Sequence, residues 1–394
     1  MRLSRCSPAH GRWSAVDDFR LALVSDAVKP FHDGGKETRH DEIIRRLSRS
    51  GVDVEVHTMH WWDGDRNRAI DIGGIRYRAL CRLYPMYRQD RRDLRQAVVF
   101  ALSGFRMLFR RFDAVEVDAV PVAQIFTLRI VTWLRRRPLV VTWHEVWGAP
   151  YWRQYLGRLG VIAAFLERRA IGLPDHIISP SRATAERLRE LSGGRARVSV
   201  VPNGINLGEI QRIQPSTTSV DVIFVGRLIK HKNVDVLIRA VARLRDRSTP
   251  VRCAIIGTGP EHDNLRELTA RLRLDDLVSF EGRIERNHDV VAAMKSARVF
   301  CSLSEREGFG IAVLEAMASG LPVVAYDHPD NHACELLEDT VNGRLVRTLD
   351  EEEVAGVIAD TLSDIDGMKD GAVQSAQGFE WDRIAERMRE VYTS

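Results

Sequence analysis

The sequence predicts an α/β fold with parallel sheets in two domains, and three observations carry that reading. Residues 297–304 (ARVFCSLS) form a short apolar run with β-branched and aromatic members, followed by a glycine-containing loop, a helix-forming stretch and a second apolar run. Residues 219–240 repeat the order as strand, tight glycine turn, basic loop and helix. The chain's 394 residues, 44% hydrophobic, suffice for two domains that each bury a core.

Taken in chain order, residues 1–18 have no clear hydrophobic period and no signal-peptide apolar region, and are expected to form a disordered or loosely attached arm. The first domain is expected over 19–207, with a strand at 21–25 ahead of Gly34 and Gly35. Two arginine-rich stretches, 91–112 and 129–137, read as helices, and the aromatic-rich stretch 147–169 adds Tyr151, Trp152 and Tyr155. A strand at 139–143 puts His144 and Glu145 at its carboxyl end, where a cleft facing the second domain would form. A structural histidine donating to a carbonyl is the competing reading of His144. Pro215-Ser216-Thr217-Thr218-Ser219 interrupts the alternation, so 208–219 reads as a linker and 220–377 as the second domain. That domain opens with a strand at 220–225, turns at Gly226, and enters a helix from about Val234. Strong helix formers fill Ile311–Ala318, and Gly320 and Pro322 stop the helix. The last segment, 378–394, carries Trp381, Ile384 and Met388 at helical spacing.

Two clusters of residues point to ligand chemistry. Glu307 lies in the loop before the helix at 311 and Glu315 within it, while Gly308 and Gly310 allow close backbone approach. The unpaired amides of a helix's first turn attract phosphates and electron-rich hydroxyls, and ionised carboxylates accept hydrogen bonds from sugar hydroxyls. Two solvated glutamates favoured by the helix dipole would give the same spacing. Arg227 and Lys232 flank the carboxyl end of the strand at 220–225, and two cations at such a crevice suit a diphosphate. Lysine is scarce, at positions 29, 36, 230, 232, 295 and 369, yet two of the six fall in this one loop. Lys230 reads as a surface residue.

On those segments the chain resembles the donor half of glycosyltransferase family 4, the retaining enzymes of the GT-B fold, in which two Rossmann-like domains face across a cleft. Further stretches agree: Gly34-Gly35, VPNGIN at 201–206, IIGTGPE at 255–261 and VSFEGRI at 278–284. Asn206 departs from the family's usual Asp. The resemblance implies transfer of a sugar, with retention, from a nucleoside diphosphate, UDP or GDP, to an acceptor hydroxyl. Arg227 and Lys232 would stabilise the departing diphosphate, helped by the backbone of Gly34, Gly35 and Gly226. Gly257, Gly259 and Arg283 would line the donor site, Glu315 would hold the ribose, and Glu307 with the Gly308, Phe309, Gly310 and Ile311 backbone would hold the sugar. A histidine after the strand, here His144, is placed by the family near the transferred sugar, and the last helix crosses back to the first domain. Asp26 and His32 are weaker candidates for acceptor contacts. Attack from the leaving-group face would need no protein base, no metal and no cofactor. A retaining hydrolase would instead need Glu307 and Glu315 about 5 Å apart. An epimerase of the same architecture or a non-catalytic binder remain alternatives.

Charge divides unevenly, about +13 over residues 1–213 and −9 over the rest. Basic charge beside apolar and aromatic faces suits an anionic membrane surface, and the same pattern arises when apolar residues face a core and arginines face solvent. No RNA-recognition or helix-turn-helix pattern accompanies the charge, which argues against nucleic acid. Apolar runs are far shorter than the ~20 residues of a membrane span. Five scattered cysteines without CxxC spacing read as reduced thiols of a cytoplasmic protein, which could sit peripherally on the membrane. Asp63-Gly64-Asp65 and Asp364-Ile365-Asp366 read as polar turns, not metal sites. His262 stands where a dinucleotide fingerprint would need its third glycine, which argues against a nicotinamide enzyme.

Overall fold

The computed structural model describes residues 19–88 and 91–393; the arm expected over 1–18, with Cys6, lies outside the described residues. The first domain runs β1 (Arg20–Val24), α1 (Gly35–Arg49), β2 (Asp53–Met59), β3 (Ile70–Ile72), β4 (Ile75–Cys81), the short pair β5 (Tyr87–Arg88) and β6 (Arg91–Arg92), α2 (Leu94–Ser103), β7 (Ala114–Asp118), α3 (Ala123–Arg135), β8 (Leu139–Thr142), α4 (Gly148–Leu156), α5 (Gly160–Ala170), β9 (His176–Ser179), α6 (Arg182–Leu191) and β10 (Val198–Val200). Its sheet has the order β10-β9-β8-β7-β1-β2-β4-β3, parallel except where β3 meets β4.

The second domain follows with α7 (Leu207–Arg212), β11 (Val222–Val225), α8 (Val234–Asp246), β12 (Cys253–Ile256), α9 (His262–Arg271), β13 (Val278–Gly282), α10 (Asn287–Lys295), β14 (Val299–Ser302), α11 (Ile311–Ala318), β15 (Val323–Tyr326), β16 (Gly343–Val346), α12 (Glu351–Ser363) and α13 (Ile365–Ala376). Its six strands are all parallel, in the order β13-β12-β11-β14-β15-β16. The strand order reverses between β1 and β7 in the first sheet and between β11 and β14 in the second. Ligand crevices of open parallel sheets form at the carboxyl ends of such reversals. Asp26 and Asp118 follow or end one pair of strands, and Arg227 and Glu307 follow the other.

Four cores, two in each domain, cover the sheet faces. The last helix, α14 (Trp381–Thr393), packs against α1, with Trp381, Ile384, Met388 and Tyr392 buried beside Ile43, Ile44 and Leu47. The C-terminal helix therefore completes the first domain's core.

Two expectations change. The stretch 208–219 is not wholly irregular: α7 occupies its start, and Leu207, Ile210 and Ile213 are buried in the second domain's core. Their spacing of three gives an apolar face that the proline-and-serine signal at 215–219 masked. Residues 91–112 are not one helix either. Arg91 and Arg92 pair in β6, Asp93 caps α2 by accepting from the Arg95 amide at 2.8 Å, and the 3-10 segment Gly104–Phe109 follows.

Candidate active site

Two contiguous cavities, of about 820 and 600 Å³, fill the cleft. Gly34, Gly35, Gly226, Arg227, Arg283 and Ile311 line both and form their junction. Lys232, Gly259, His144, Glu307, Gly308, Phe309 and Gly310 line the larger one, whereas Gly257 and Glu315 line the smaller. The two glutamates thus serve different chambers, a separation that spacing along α11 did not reveal.

Local chemistry positions each group. Asn233 adopts the left-handed conformation (φ 50°) and its side-chain amide donates to the Leu303 carbonyl at 2.9 Å, tying the Lys232 turn to the end of β14. The Lys232 ammonium then ion-pairs with Glu307. Neighbouring His231 is pushed down to about 4, by burial first and then by Lys232 and Arg306, so it stays neutral near pH 7. The Glu307 backbone is held on both sides: its amide donates to the Asp330 carbonyl at 3.0 Å and its carbonyl accepts from the His332 amide at 2.9 Å. Gly310 has φ 86°, a conformation L side chains rarely adopt, and it turns the loop into α11, whose first residues, Ile311, Ala312 and Val313, line the larger cavity. Phe309 lines the same cavity, and its ring is buried against Phe379. Glu315 accepts from Asn287 at 3.1 Å, and burial raises its carboxyl above the usual range.

The first domain supplies a buried charge cluster. Asp118 accepts from Ser25 at 2.8 Å and lies 3.2 Å from Lys36, 3.3 Å from His40 and 3.3 Å from His144. Burial alone would raise Asp118, yet His40, Lys36 and His144 outweigh it and hold the carboxyl below its ordinary value. Burial lowers His144 against the pull of Asp118, which leaves a neutral imidazole at the cavity wall. His40, Asp118 and His144 also offer atoms within 4.8 Å of one another, a spacing that suits a metal. Lys36 already supplies the positive charge at Asp118, which weakens that reading. Asp26, an expected acceptor contact, is fully buried and engaged by Lys36, Arg92 and Gln96, so it cannot meet a ligand directly. His32 lines the larger cavity and pairs with Glu37 at 3.3 Å. Asn206 donates to Glu42 at 3.2 Å and accepts from Arg46 at 2.7 Å. An Asp there would face Glu42 with like charge, which gives a local reason for the departure. Of the discounted pairs, Asp65 accepts the Asn67 amide in a turn, and Asp364 pairs with Arg344.

The cleft is closed by contacts that sequence reading missed. Arg306 pairs with Glu145 and lies 3.6 Å from the Tyr151 ring centroid. Glu335 accepts from the Arg182 and Ala183 amides at 2.8 Å each, capping α6 from the other domain, and His332 meets Ser181 and Thr184 at 3.1 and 2.9 Å. Closest of all, a Cβ on Gly308 would lie 2.6 Å from the His144 carbonyl oxygen. Gly308→Ala should therefore disfavour this closed arrangement by about 1–3 kcal/mol. Small-angle scattering should report a wider molecule. An unchanged profile would mean that the loop yields locally instead.

Comparison with known proteins adds the family. Residues 33–209 match the model described as Glycosyltransferase Family 4, and residues 208–374 match Glycosyl transferases group 1. The chain is 30% identical to a D-inositol 3-phosphate glycosyltransferase of Nocardia farcinica, over 58% of this chain and about half (54%) of that one. It is 26% identical to the one from Thermobispora bispora, over 95% of this chain and 94% of that one. Among solved structures, Anabaena Alr3699/HepE in complex with UDP and glucose superposes with a TM-score of 0.70 at 21% identity, covering 95% of this chain and all of that one. The two family matches join end to end across the cleft just described, and the chain belongs to glycosyltransferase family 4, with the GT-B fold.

Proposed function

We propose that this protein is a retaining glycosyltransferase that moves a sugar from a nucleoside diphosphate sugar to an acceptor hydroxyl. The observation that carries this reading is the junction: Arg227 and Gly226 line both cavities, with the Lys232–Glu307 pair on one side and Glu315 on the other. A diphosphate lying across that junction would set its ribose toward Glu315 and its sugar toward Glu307 and His144. The UDP and glucose held by the Anabaena structure support UDP as the nucleotide to test first.

In this reading Arg227, Lys232 and the amides starting α11 stabilise charge growing on the leaving diphosphate. That phosphate takes the proton of the attacking hydroxyl on the face it leaves, so no carboxylate acts as base. Neutral His144 hydrogen-bonds the sugar. Fixed cations do the work of a metal, and turnover should persist in EDTA. Closure through Arg306, Glu335 and His332 excludes water from the donor. The acceptor we propose is a glycolipid, a cell-envelope polysaccharide precursor or another glycan, and the buried thiols of Cys81, Cys253 and Cys301 agree with a cytoplasmic setting. Separation of Glu307 and Glu315 between two chambers disfavours the hydrolase, whose carboxylates flank one bond.

The test is a thermal-shift screen of UDP, GDP, ADP and their sugar conjugates, followed by product analysis with a membrane lipid extract, with and without EDTA. Selective stabilisation with transfer and an α-anomeric product from an α-linked donor is the expected result. Donor conversion without acceptor would establish the epimerase, stabilisation without turnover the binder, and no nucleotide response would sink the assignment.

A further inference from the structure

Large apolar side chains are left exposed on one side of the first domain. Of fifteen such side chains among the described residues, thirteen lie between positions 94 and 166, so the exposure belongs to one region and not to scattered surface. On α2 they are Leu94, Val98 and Leu102, a stripe at i, i+4 and i+8 that points away from the core face made by Phe100 and Ala101. The 3-10 segment after α2 adds Phe109, 88% exposed. On α3 they are Ile130, Trp133 and Leu134, opposite buried Leu128 and Val131. On α5 they are Val161, Ile162, Phe165 and Leu166. Because α3 packs against α2 and the 3-10 segment on one side and α5 on the other, these stripes join into one face.

The charge on that face is strongly positive, and the two acids at its edge, Asp113 and Asp175, are paired with Arg137 at 3.1 Å and Arg129 at 2.7 Å. Residues 94–111, 123–137 and 148–170 contain twelve arginines and one acid, Glu167. Glu167 is buried and engaged by the Trp147 and Gly148 amides and the Trp152 indole, so it offers nothing outward. Arg169 lays its guanidinium 5.1 Å from the Phe165 ring centroid, an arrangement in which the stem covers apolar surface and the charge stays at the polar boundary. A second copy of this chain would bring arginines against arginines, with the edge acids Asp113 and Asp175 already paired inside each copy. An anionic bilayer answers both features at once, taking the apolar stripes into its headgroup boundary and pairing the guanidinium groups with lipid phosphates.

We infer that the α2–α3–α5 face of the first domain is a docking surface for an anionic lipid bilayer. The near end of this face adjoins the cleft: Arg92 and Val120, which precede α2 and α3, and Trp147, which precedes α4, line the larger cavity. Docking by this face would therefore bring the cavity mouth beside the headgroups, and an acceptor carried in the membrane could reach the donor without leaving it. That last step rests on the transfer reaction proposed above, whereas the docking surface does not.

Flotation at low salt with vesicles of phosphatidylglycerol and phosphatidylcholine, against pure phosphatidylcholine, tests the surface on the full chain without any nucleotide. Binding to the anionic vesicles alone is expected, with Trp133 fluorescence quenched by brominated lipid. Two variants should each lower the bound fraction at least tenfold: Trp133→Ser with Phe165→Ser, and Arg111→Gln with Arg136→Gln and Arg168→Gln. All five positions are exposed, so circular dichroism should find both variants folded. No binding to anionic vesicles, equal binding to neutral ones, or variants that bind like the parent would overturn the inference. So would a stable dimer in solution with Trp133 shielded, which would assign the face to a second copy. Nucleotide-induced thermal shifts in the same preparations report on the donor site separately, so loss of one property leaves the other readable.

Discussion

Replacing Lys232 with alanine should lower kcat about 10²–10³-fold, with a smaller change in the donor's KM. That size is typical of removing one preorganised donor from charge that develops in a transition state. Its ammonium pairs with Glu307 in the ligand-free protein, and both line the larger cavity. The pair has two readings that stability and turnover separate. If it only braces the loop, Lys232→Ala and Glu307→Gln should each lower the melting temperature, and the double variant should lose little more than either single one. If Lys232 meets the leaving diphosphate, both variants should stay folded and the double variant should be at least as slow as Lys232→Ala alone. Arg227→Ala, at the junction of the cavities, should show a comparable loss through the same phosphate. Turnover within threefold of the parent in both alanine variants would remove the diphosphate role.

How legible these groups were follows from how the chain assembles them. Arg227, Lys232, Glu307 and Gly310 sit on two strand-loop-helix units, each about twenty residues long, so neighbouring residues announce the chemistry. The first domain's side is assembled from afar. Asp118 ends β7, Lys36 and His40 lie on α1, and His144 follows β8, 108 positions after Lys36. Only one local signal was available: a carboxylate closing the apolar run Ala114–Asp118, at the carboxyl end of a parallel strand. Glu116 in the middle of that strand reads as a contradiction in a buried core until α14 arrives from the other end of the chain and Tyr392 donates to it. Arg39 is the same case, fully buried yet donating to the Pro202 carbonyl at 2.7 Å and Asn203 at 2.9 Å. Its helix shows an amphipathic pattern, but nothing within it reveals that a partner waits 160 residues away. The arginine-rich helices were ambiguous for a different reason. Sequence shows that apolar residues and arginines alternate, and only packing tells which apolar stripe faces the core and which is left over.

The strongest effect on stability is expected at Asp118. Asp118→Ala removes the anion that Lys36, His40 and His144 share, and breaking a buried ion pair from one side costs about 3–5 kcal/mol because the remaining charge is left uncompensated. Acid should expose the electrostatic origin of that cost. The folded carboxyl is held below its ordinary value, so its contribution is complete above the unfolded pKa of about 3.9 and is lost only as pH falls through the lower folded value. His144 works in the opposite charge state with the same sense. Its folded pKa is lowered, so the folded protein resists a proton that the unfolded chain accepts, and stability declines as pH drops below about 6.5. Asp118 pulls the histidine back up and softens that decline. Without Asp118 nothing pulls His144 back up, while burial, Arg39 and His40 still oppose its protonation, so the variant should lose stability faster than the parent between pH 6.5 and 4. Urea unfolding at several pH values from 4 to 8 reads this directly, as a gap between the two proteins that widens toward acid. A gap of constant size across the range would assign the loss to the cavity left by the side chain, and the charge cluster would then have no electrostatic part in holding the cleft wall.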